Sequence, residues 1–273
     1  VWEVNQPMQK NYDIRIQAVE PLSSPAKLAT QLPVSEHLSA RIAHSRSIVN
    51  DIVKGRDQRL LAIVGPCSIH DPKAALEYAG RLRDLAGEVS DVMYLVMRTY
   101  FEKPRTIGGW KGLIIDPWLN GSYDIEHGIT IARKLLIDIT TLGVPVGCEM
   151  LDPIVPQYID ELLSWCAIGA RTTESQTHRT LASGMSVAVG FKNSTSGELA
   201  PAVNAIKSAA ESAAFIGIDK DGNTSIYRTT GNDCGHLILR GGDQAPNYYE
   251  EEVEHAASMM EKLGVEPAIL VDC

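Results

Sequence analysis

Arg98, Lys103, Arg105, Arg171, Lys192 and Arg240 each stand at or shortly beyond the end of a short apolar run, and Cys67, Glu149 and Asp272 hold equivalent places after other runs. Guanidinium forks and ammonium groups gathered at one place serve phosphate and carboxylate oxygens, and this many cations imply two or more anionic groups to be held. Any one of the six, taken alone, reads best as a solvated surface charge. Their recurrence at the same relative position in successive segments carries the functional reading. Glu149 alone could simply pair with one of those cations, and Cys67 alone reads as a small buried hydrophobe. The histidines form neither HxH nor HExxH, so His70 and His178 are read as structural, and Met259-Met260 as core packing.

The elements that must position these side chains alternate in type. Leu60–Val64 reads as a buried strand, and Asp71-Pro72 as a helix start with Asp at the N-cap and Pro in the first turn. Tyr94–Met97 is the next strand, followed by a long loop through Gly121 and a helix from Ile125 that stops at Gly143. Strands near 145–150, 167–172 and 187–192 alternate with helices over 156–165, 176–183 and 199–213. Phe215–Ile218 and Ser225–Thr229, separated by Asp221-Gly222-Asn223, read as a hairpin insertion at about 214–230. His236–Arg240, a helix over 249–263 and Ala268–Asp272 complete the chain.

Alternating β and α elements predict a parallel sheet, and the lack of a dinucleotide fingerprint favours a (β/α)8 TIM barrel of the α/β class over a doubly wound sheet. Residues 1–59 form an N-terminal arm with a helix around 36–54, and residues 60–273 the barrel. In such a barrel the chemistry sits at the C-terminal ends of the strands, which is where the six cations fall.

The chain carries a net charge of −9, which disfavours nonspecific nucleic-acid binding but leaves room for a local basic pocket. No apolar run approaches the roughly 18 residues of a membrane helix. Cys67, Cys148, Cys166, Cys234 and Cys273 show no paired spacing, which fits a reduced, cytoplasmic setting. Val1–Pro7 has no signal-peptide pattern and is read as a leader added ahead of a natural start at Met8.

Longer motifs then carry a resemblance. Gly65-Pro66-Cys67-Ser68-Ile69-His70-Asp71, the run Arg98 to Thr106, Gly109-Trp110-Lys111-Gly112, the run Ile168 to Gln176, Val189-Gly190-Phe191-Lys192-Asn193 and Ile238-Leu239-Arg240-Gly241-Gly242 resemble the type I 3-deoxy-D-arabino-heptulosonate 7-phosphate (DAHP) synthases, in order and in register from about Met8 to Cys273. The resemblance implies condensation of phosphoenolpyruvate with erythrose 4-phosphate at the start of the shikimate pathway. It implies that Arg171, Arg240 and the Ala170 amide hold the phosphoenolpyruvate phosphate, and that Arg98 and Lys192 hold its carboxylate. Lys103 is then a proton donor between the substrates, Pro104-Arg105-Thr106 bind the erythrose phosphate, and Glu149 positions the attacking water. Cys67 becomes one ligand of a single divalent metal ion.

In the family, the strand ending here at Val271-Asp272-Cys273 continues into a Ser-His-Gly-Asn segment whose His is a metal ligand, with a Glu and an Asp further on. The expectation is therefore a piece of a longer protein, with an incomplete barrel and one of four metal ligands. Ser194 and Ser196 stand where relatives usually have Gly and Asp.

The resemblance also implies an aromatic amino-acid effector near the hairpin, at Pro156, Leu181, Met185, Ser186, Phe215 and Gly217. Gly217 in place of Ser leaves room for a hydroxyl and points to tyrosine. A homodimer or homotetramer is expected. Two alternatives stand beside this reading: a KDO 8-phosphate synthase-like enzyme, and a non-catalytic barrel that retains only effector binding.

Overall fold

Short apolar runs pair in parallel because the helical segments between them return the chain to the other end of the sheet. The computed structural model describes residues 11–273; the start at Met8 and the leader 1–7 lie outside the described residues. Two helices come first, α1 (Pro25–Gln31) and α2 (Glu36–Val53), capped by the hydroxyls of Ser24 and Ser35. The sequence reading anticipated the second and missed the first.

The alternation then runs β1 (Leu60–Val64), α3 (Pro72–Glu88), β2 (Met93–Arg98), α4 (Ile125–Thr141), β3 (Val146–Glu149), α5 (Pro156–Ile159) and β4 (Trp165–Ile168). It continues with α6 (Gln176–Gly184), β5 (Ala188–Lys192), α7 (Ala200–Ala210), the hairpin β6 (Ala214–Ile218) and β7 (Thr224–Arg228), β8 (Gly235–Leu239), α8 (Glu250–Lys262) and β9 (Ile269–Val271). Asp71 caps α3 as expected, accepting from the amides of Lys73 and Ala74. Seven strands form one parallel sheet in the order β1-β2-β3-β4-β5-β8-β9, and β6-β7 stand apart as an antiparallel pair. The architecture is that of an α/β barrel wall, with β1 and β9 as its edges.

Two expectations need correction. The helix expected over 156–165 is one α-turn followed by a 3-10 turn, Asp160–Leu162, because the chain re-enters the sheet at Trp165. The strand expected at 167–172 lies at Trp165–Ile168 instead. Beyond it the amides of Thr172 and Thr173 both donate to the Gly169 carbonyl, so the backbone turns rather than extending the ladder, and Arg171 sits in that turn.

Strand side chains alternate between faces, and the two faces build two cores. Leu95, Met97, Cys166, Ile168, Val189, Phe191, Leu237 and Leu239 point outward and pack with the helices. Val96, Trp165, Ala167, Ala188 and Ile238 point into the barrel with Tyr100. Counting forward by twos along the inward rows reaches Arg98 on β2, Lys192 on β5 and Arg240 just past β8.

His236 lies on the barrel floor, buried, where Trp165 Nε1 donates to its Nε2 at 2.9 Å. Burial pushes its pKa from the usual 6.5 down to about 4. The unfolded chain therefore binds this proton at a pH where the folded chain does not, so the stability His236 permits is present above pH 6.5 and is lost as pH falls towards 4. Against a His236→Gln variant, whose neutral amide can still accept from Trp165, the native chain should lose about 3 kcal/mol between those limits. Urea unfolding of both chains across pH 4 to 7 measures this, and parallel curves would reject it.

Candidate active site

The six cations meet above the C-terminal rim of the sheet, and the partners that hold them are distinctive. Arg98 donates from Nε to the Pro66 carbonyl and from Nη2 to the Cys67 carbonyl, each at 3.2 Å. Lys103 Nζ reaches the Cys67 carbonyl at 3.3 Å and its Sγ at 2.9 Å. Arg105 donates to the Trp110 carbonyl at 2.9 Å, and Arg171 to the Thr106 hydroxyl at 3.1 Å. Arg240 leans on the carbonyls of Thr195 and Gly241, both at 3.3 Å. Only Lys192 has a carboxylate partner among these six, Asp272 just past β9. Several cations elsewhere pair with carboxylates, as in Arg81–Glu77, Lys134–Asp138 and the buried Arg133–Glu161, while Arg46 and Arg179 are held by backbone carbonyls. Apart from Lys192, the positive charge of the rim is thus positioned by neutral groups.

Glu149, the last residue of β3, is buried among these cations, and its Oε1 has no hydrogen-bond partner. Desolvation raises its pKa, while Lys192, Arg98, Lys103 and Arg171 pull the other way. The carboxylate has room because residue 169 is glycine: a Cβ there would lie 2.5 Å from Glu149 Oε1. A buried acceptor facing the mouth suits the holding of a water molecule.

The expected residues Pro104, Arg105, Thr106, Ala170 and Arg171 lie together at the open side of this mouth, joined by the Arg171–Thr106 contact. A cavity of about 740 Å³ runs beneath it into the barrel between β1 and β9, reaching Arg98, Tyr100, Lys192 and the floor pair Trp165 and His236. Among the described residues, no group of three or more His, Cys, Asp or Glu is placed to hold a metal ion. Cys67 itself faces cations, and Lys103, Arg98 and Arg105 hold its thiol below the usual range.

Sequence reasoning passed over three residues inside its own motifs. Asn193 is fully buried: its Oδ1 accepts from the Arg240 amide at 2.8 Å and from Asn247 at 3.2 Å, while its Nδ2 donates to the carbonyls of Ser194 and Gly241. It thereby ties the end of β5, with Lys192, to the loop that carries Arg240. Glu102, beside Lys103, is buried with its pKa raised to about 7 by desolvation and by the Asp152 charge. Tyr100 lies under Arg98. Asn193 and Glu102 sit next to a cation in sequence and Tyr100 two residues from one, which was the available signal.

The expected effector positions gather between α6 and the hairpin. Pro156, Leu181 and Met185 are buried, Phe215 and Gly217 half-buried on the inward face of β6, and Ser186 exposed. Tyr227, which the sequence reading did not single out, stacks on Phe215 with ring centroids 5.2 Å apart. Its hydroxyl donates to the Ile218 carbonyl at 2.6 Å and lies 3.2 Å from the Gln157 side-chain amide. A Cβ at Gly217 would come within 3.2 Å of the Tyr227 ring, so glycine there admits the aromatic stack.

Against known proteins, the model of the DAHP synthetase I family matches residues 31–273. The Tyr-sensitive phospho-2-dehydro-3-deoxyheptonate aldolases of Salmonella typhimurium (strain LT2) and Escherichia coli (strain K12) are 53% identical over 268 residues, which is 97% of this chain and 75% of theirs. The Trp-sensitive enzyme of Escherichia coli (strain K12) is 48% identical over 265 residues, 97% of this chain and 76% of its own. The structure of phospho-2-dehydro-3-deoxyheptonate aldolase from Francisella tularensis superposes with a TM-score of 0.93 at 44% identity, covering 94% of this chain and 76% of that one.

The Lys103–Cys67 contact predicts a reactive thiol. Cys67 is exposed with a depressed pKa, whereas Cys148, Cys166 and Cys234 are buried and raised by desolvation. Iodoacetamide labelling followed by peptide mass mapping should modify Cys67 well before those three, and Lys103→Met should move its labelling midpoint to higher pH. An unchanged midpoint would remove Lys103 as the cause.

Proposed function

The chain belongs to the DAHP synthetase I family, and from that membership we propose how its residues divide the family's reaction. That reaction joins phosphoenolpyruvate to erythrose 4-phosphate and water, giving DAHP and phosphate at the first step of the shikimate pathway. The observation that supports the assignment of residues is the rim: five of the six cations are held by carbonyl, hydroxyl or thiol groups and stay free to bind anions. Arg171, Arg240 and the Ala170 amide take the phosphoenolpyruvate phosphate, while Arg98 and Lys192 take its carboxylate. Lys192 does so by exchanging Asp272 for the substrate. Pro104, Arg105 and Thr106 take the phosphate of the four-carbon acceptor, and the Arg171–Thr106 contact makes the two phosphate sites adjoin.

C3 of phosphoenolpyruvate attacks the aldehyde carbon, positive charge on the rim stabilising the anions throughout. Lys103, between the two substrates, gives a proton to the oxygen that becomes an alcohol. Glu149 holds the water that adds at C2 and accepts its proton, with burial supporting that role by raising its basicity. The hemiketal phosphate then expels phosphate by C–O cleavage. The family is metal-dependent, and Cys67 is this chain's residue at a ligand position. The described residues do not gather the three or more His, Cys, Asp or Glu that would complete a metal site with it.

Membership sets aside the KDO 8-phosphate alternative. The effector reading follows the Tyr-sensitive relatives and places tyrosine in the pocket of Pro156, Leu181, Met185, Ser186, Phe215 and Gly217. A homodimer or homotetramer agrees with the apolar pair Ile216 and Ile226, directly opposed across the hairpin and 77% and 69% exposed. A cytoplasmic setting is supported by the five free cysteines. No helix among the described residues is long and apolar enough to cross a membrane.

With a divalent cation supplied, the chain should release phosphate from phosphoenolpyruvate only when erythrose 4-phosphate is present, and Arg171→Ala should lower kcat/KM about a hundredfold or more. Turnover unchanged in that variant would take Arg171 out of the site. Tyrosine should inhibit and phenylalanine should not; the reverse order would overturn the effector assignment. Tyrosine binding measured by calorimetry without any acceptor-dependent phosphate release would favour the effector-only barrel.

A further inference from the structure

Arg98 and Tyr100 stand two residues apart at the end of β2 and so share the inward face of the wall. The Arg98 guanidinium carbon lies 3.7 Å from the centre of the Tyr100 ring, the distance of a flat stack over the negative face of an aromatic. Tyr100 is 2% exposed and packs in the interior core with Val96, Trp165 and Ile238, so its ring is fixed. One edge of the guanidinium is also fixed, by the Pro66 and Cys67 carbonyls. Two of its five N–H groups are engaged there, and three remain for a ligand in the plane that the ring defines.

We infer that Tyr100 is a positioning residue for the substrate carboxylate, its ring face holding the Arg98 guanidinium in the plane from which it binds. This rests on the assignment of Arg98 to the phosphoenolpyruvate carboxylate. The aromatic face suits the task better than a carboxylate would. A carboxylate beside Arg98 would compete with the substrate for the same N–H groups, whereas the ring attracts the cation from the side and leaves its edge free. A leucine would fill the space without offering a negative face.

The test is phosphoenolpyruvate binding by isothermal titration calorimetry, with inorganic phosphate as a second probe that engages the two phosphate sites, at Arg171 and Arg240 and at Arg105 and Thr106, without needing Arg98. Tyr100→Phe keeps the ring and should bind phosphoenolpyruvate within about twofold of the native chain. Tyr100→Leu should weaken it about tenfold while phosphate binding stays within about twofold. Phenylalanines carrying successive ring fluorines at position 100 drain the ring face at nearly constant shape, so they keep the question open to test even if the leucine variant does not fold. Affinity for phosphoenolpyruvate should fall with each fluorine and affinity for phosphate should not. A flat fluorine series with binding intact would overturn the inference, as would equal losses for both probes. A native chain that binds phosphate but not phosphoenolpyruvate, or an Arg98→Ala variant that binds it undiminished, would instead overturn the assignment of Arg98, and the role of Tyr100 with it.

Discussion

Like charges repel, and a rim that gathers six cations must hold them together without cancelling the charge that makes them useful. The structure meets this constraint by choosing the partners. Backbone carbonyls take Arg98, Arg105 and Arg240, a hydroxyl takes Arg171, and a thiol with its own carbonyl takes Lys103. These groups orient a cation through its N–H bonds yet carry no net charge, apart from whatever thiolate Lys103 itself induces. Surface pairs such as Arg83–Asp84 follow the opposite rule and neutralise each other. Carbonyl partners also hold single cations elsewhere, such as Arg46 and Arg179, so it is the gathering of five cations held in this way at one mouth that marks the rim as a site that takes anions from solution.

Holding cations by carbonyls demands that the carbonyls themselves be fixed, and much of the buried polar structure serves that end. Asn193 locks the loop after β8 to the end of β5 through four hydrogen bonds, so Arg240 and Lys192 keep their spacing. Thr173, also fully buried, bonds the carbonyls of Gly169 and Lys192, tying the turn that carries Arg171 to the same strand end. On the opposite side, buried Arg133 binds the carbonyls of Leu32 and Tyr158, and Arg46 those of Asp160 and Leu163, pinning α1, α2 and α4 to the segment between β3 and β4. Satisfied buried networks of this kind are costly to break, which makes them suitable supports.

The fold was legible in the sequence wherever a local rule decided it. The β-to-α alternation, the Asp71 cap and the hairpin around Asp221-Gly222-Asn223 follow from periodicity and turn chemistry, and the period of two that places Arg98, Lys192 and Arg240 inward is equally local. The shifted strand at Trp165–Ile168 was not legible, because Gly169 closes that run through hydrogen bonds from Thr172 and Thr173 that compete with the ladder. The single-turn α5 escaped for a similar reason, its apolar residues being compatible with a longer helix. Contacts across the chain were invisible altogether: nothing in residue spacing says that Asp272 reaches Lys192 or that Tyr227 stacks on Phe215.

Two buried titratable groups show how the interior treats charge of either sign. His236, on the floor, has its pKa lowered from 6.5 to about 4, and Glu102, next to Lys103 in sequence, has its raised from 4.5 to about 7. Between about pH 4.5 and 6.5 the unfolded chain carries a charged imidazolium and a charged carboxylate, while the folded chain carries neither. Folding therefore releases a proton from His236 and takes one up at Glu102, and the two linkages oppose each other. Stability gains from His236 as pH rises through that window and loses from Glu102 by a comparable amount. The summed contribution of the two to the pH dependence is close to flat although each group alone is strongly shifted. At the rim the buried carboxylate of Glu149 has four cations that draw it towards its charged form against the desolvation that raises its pKa.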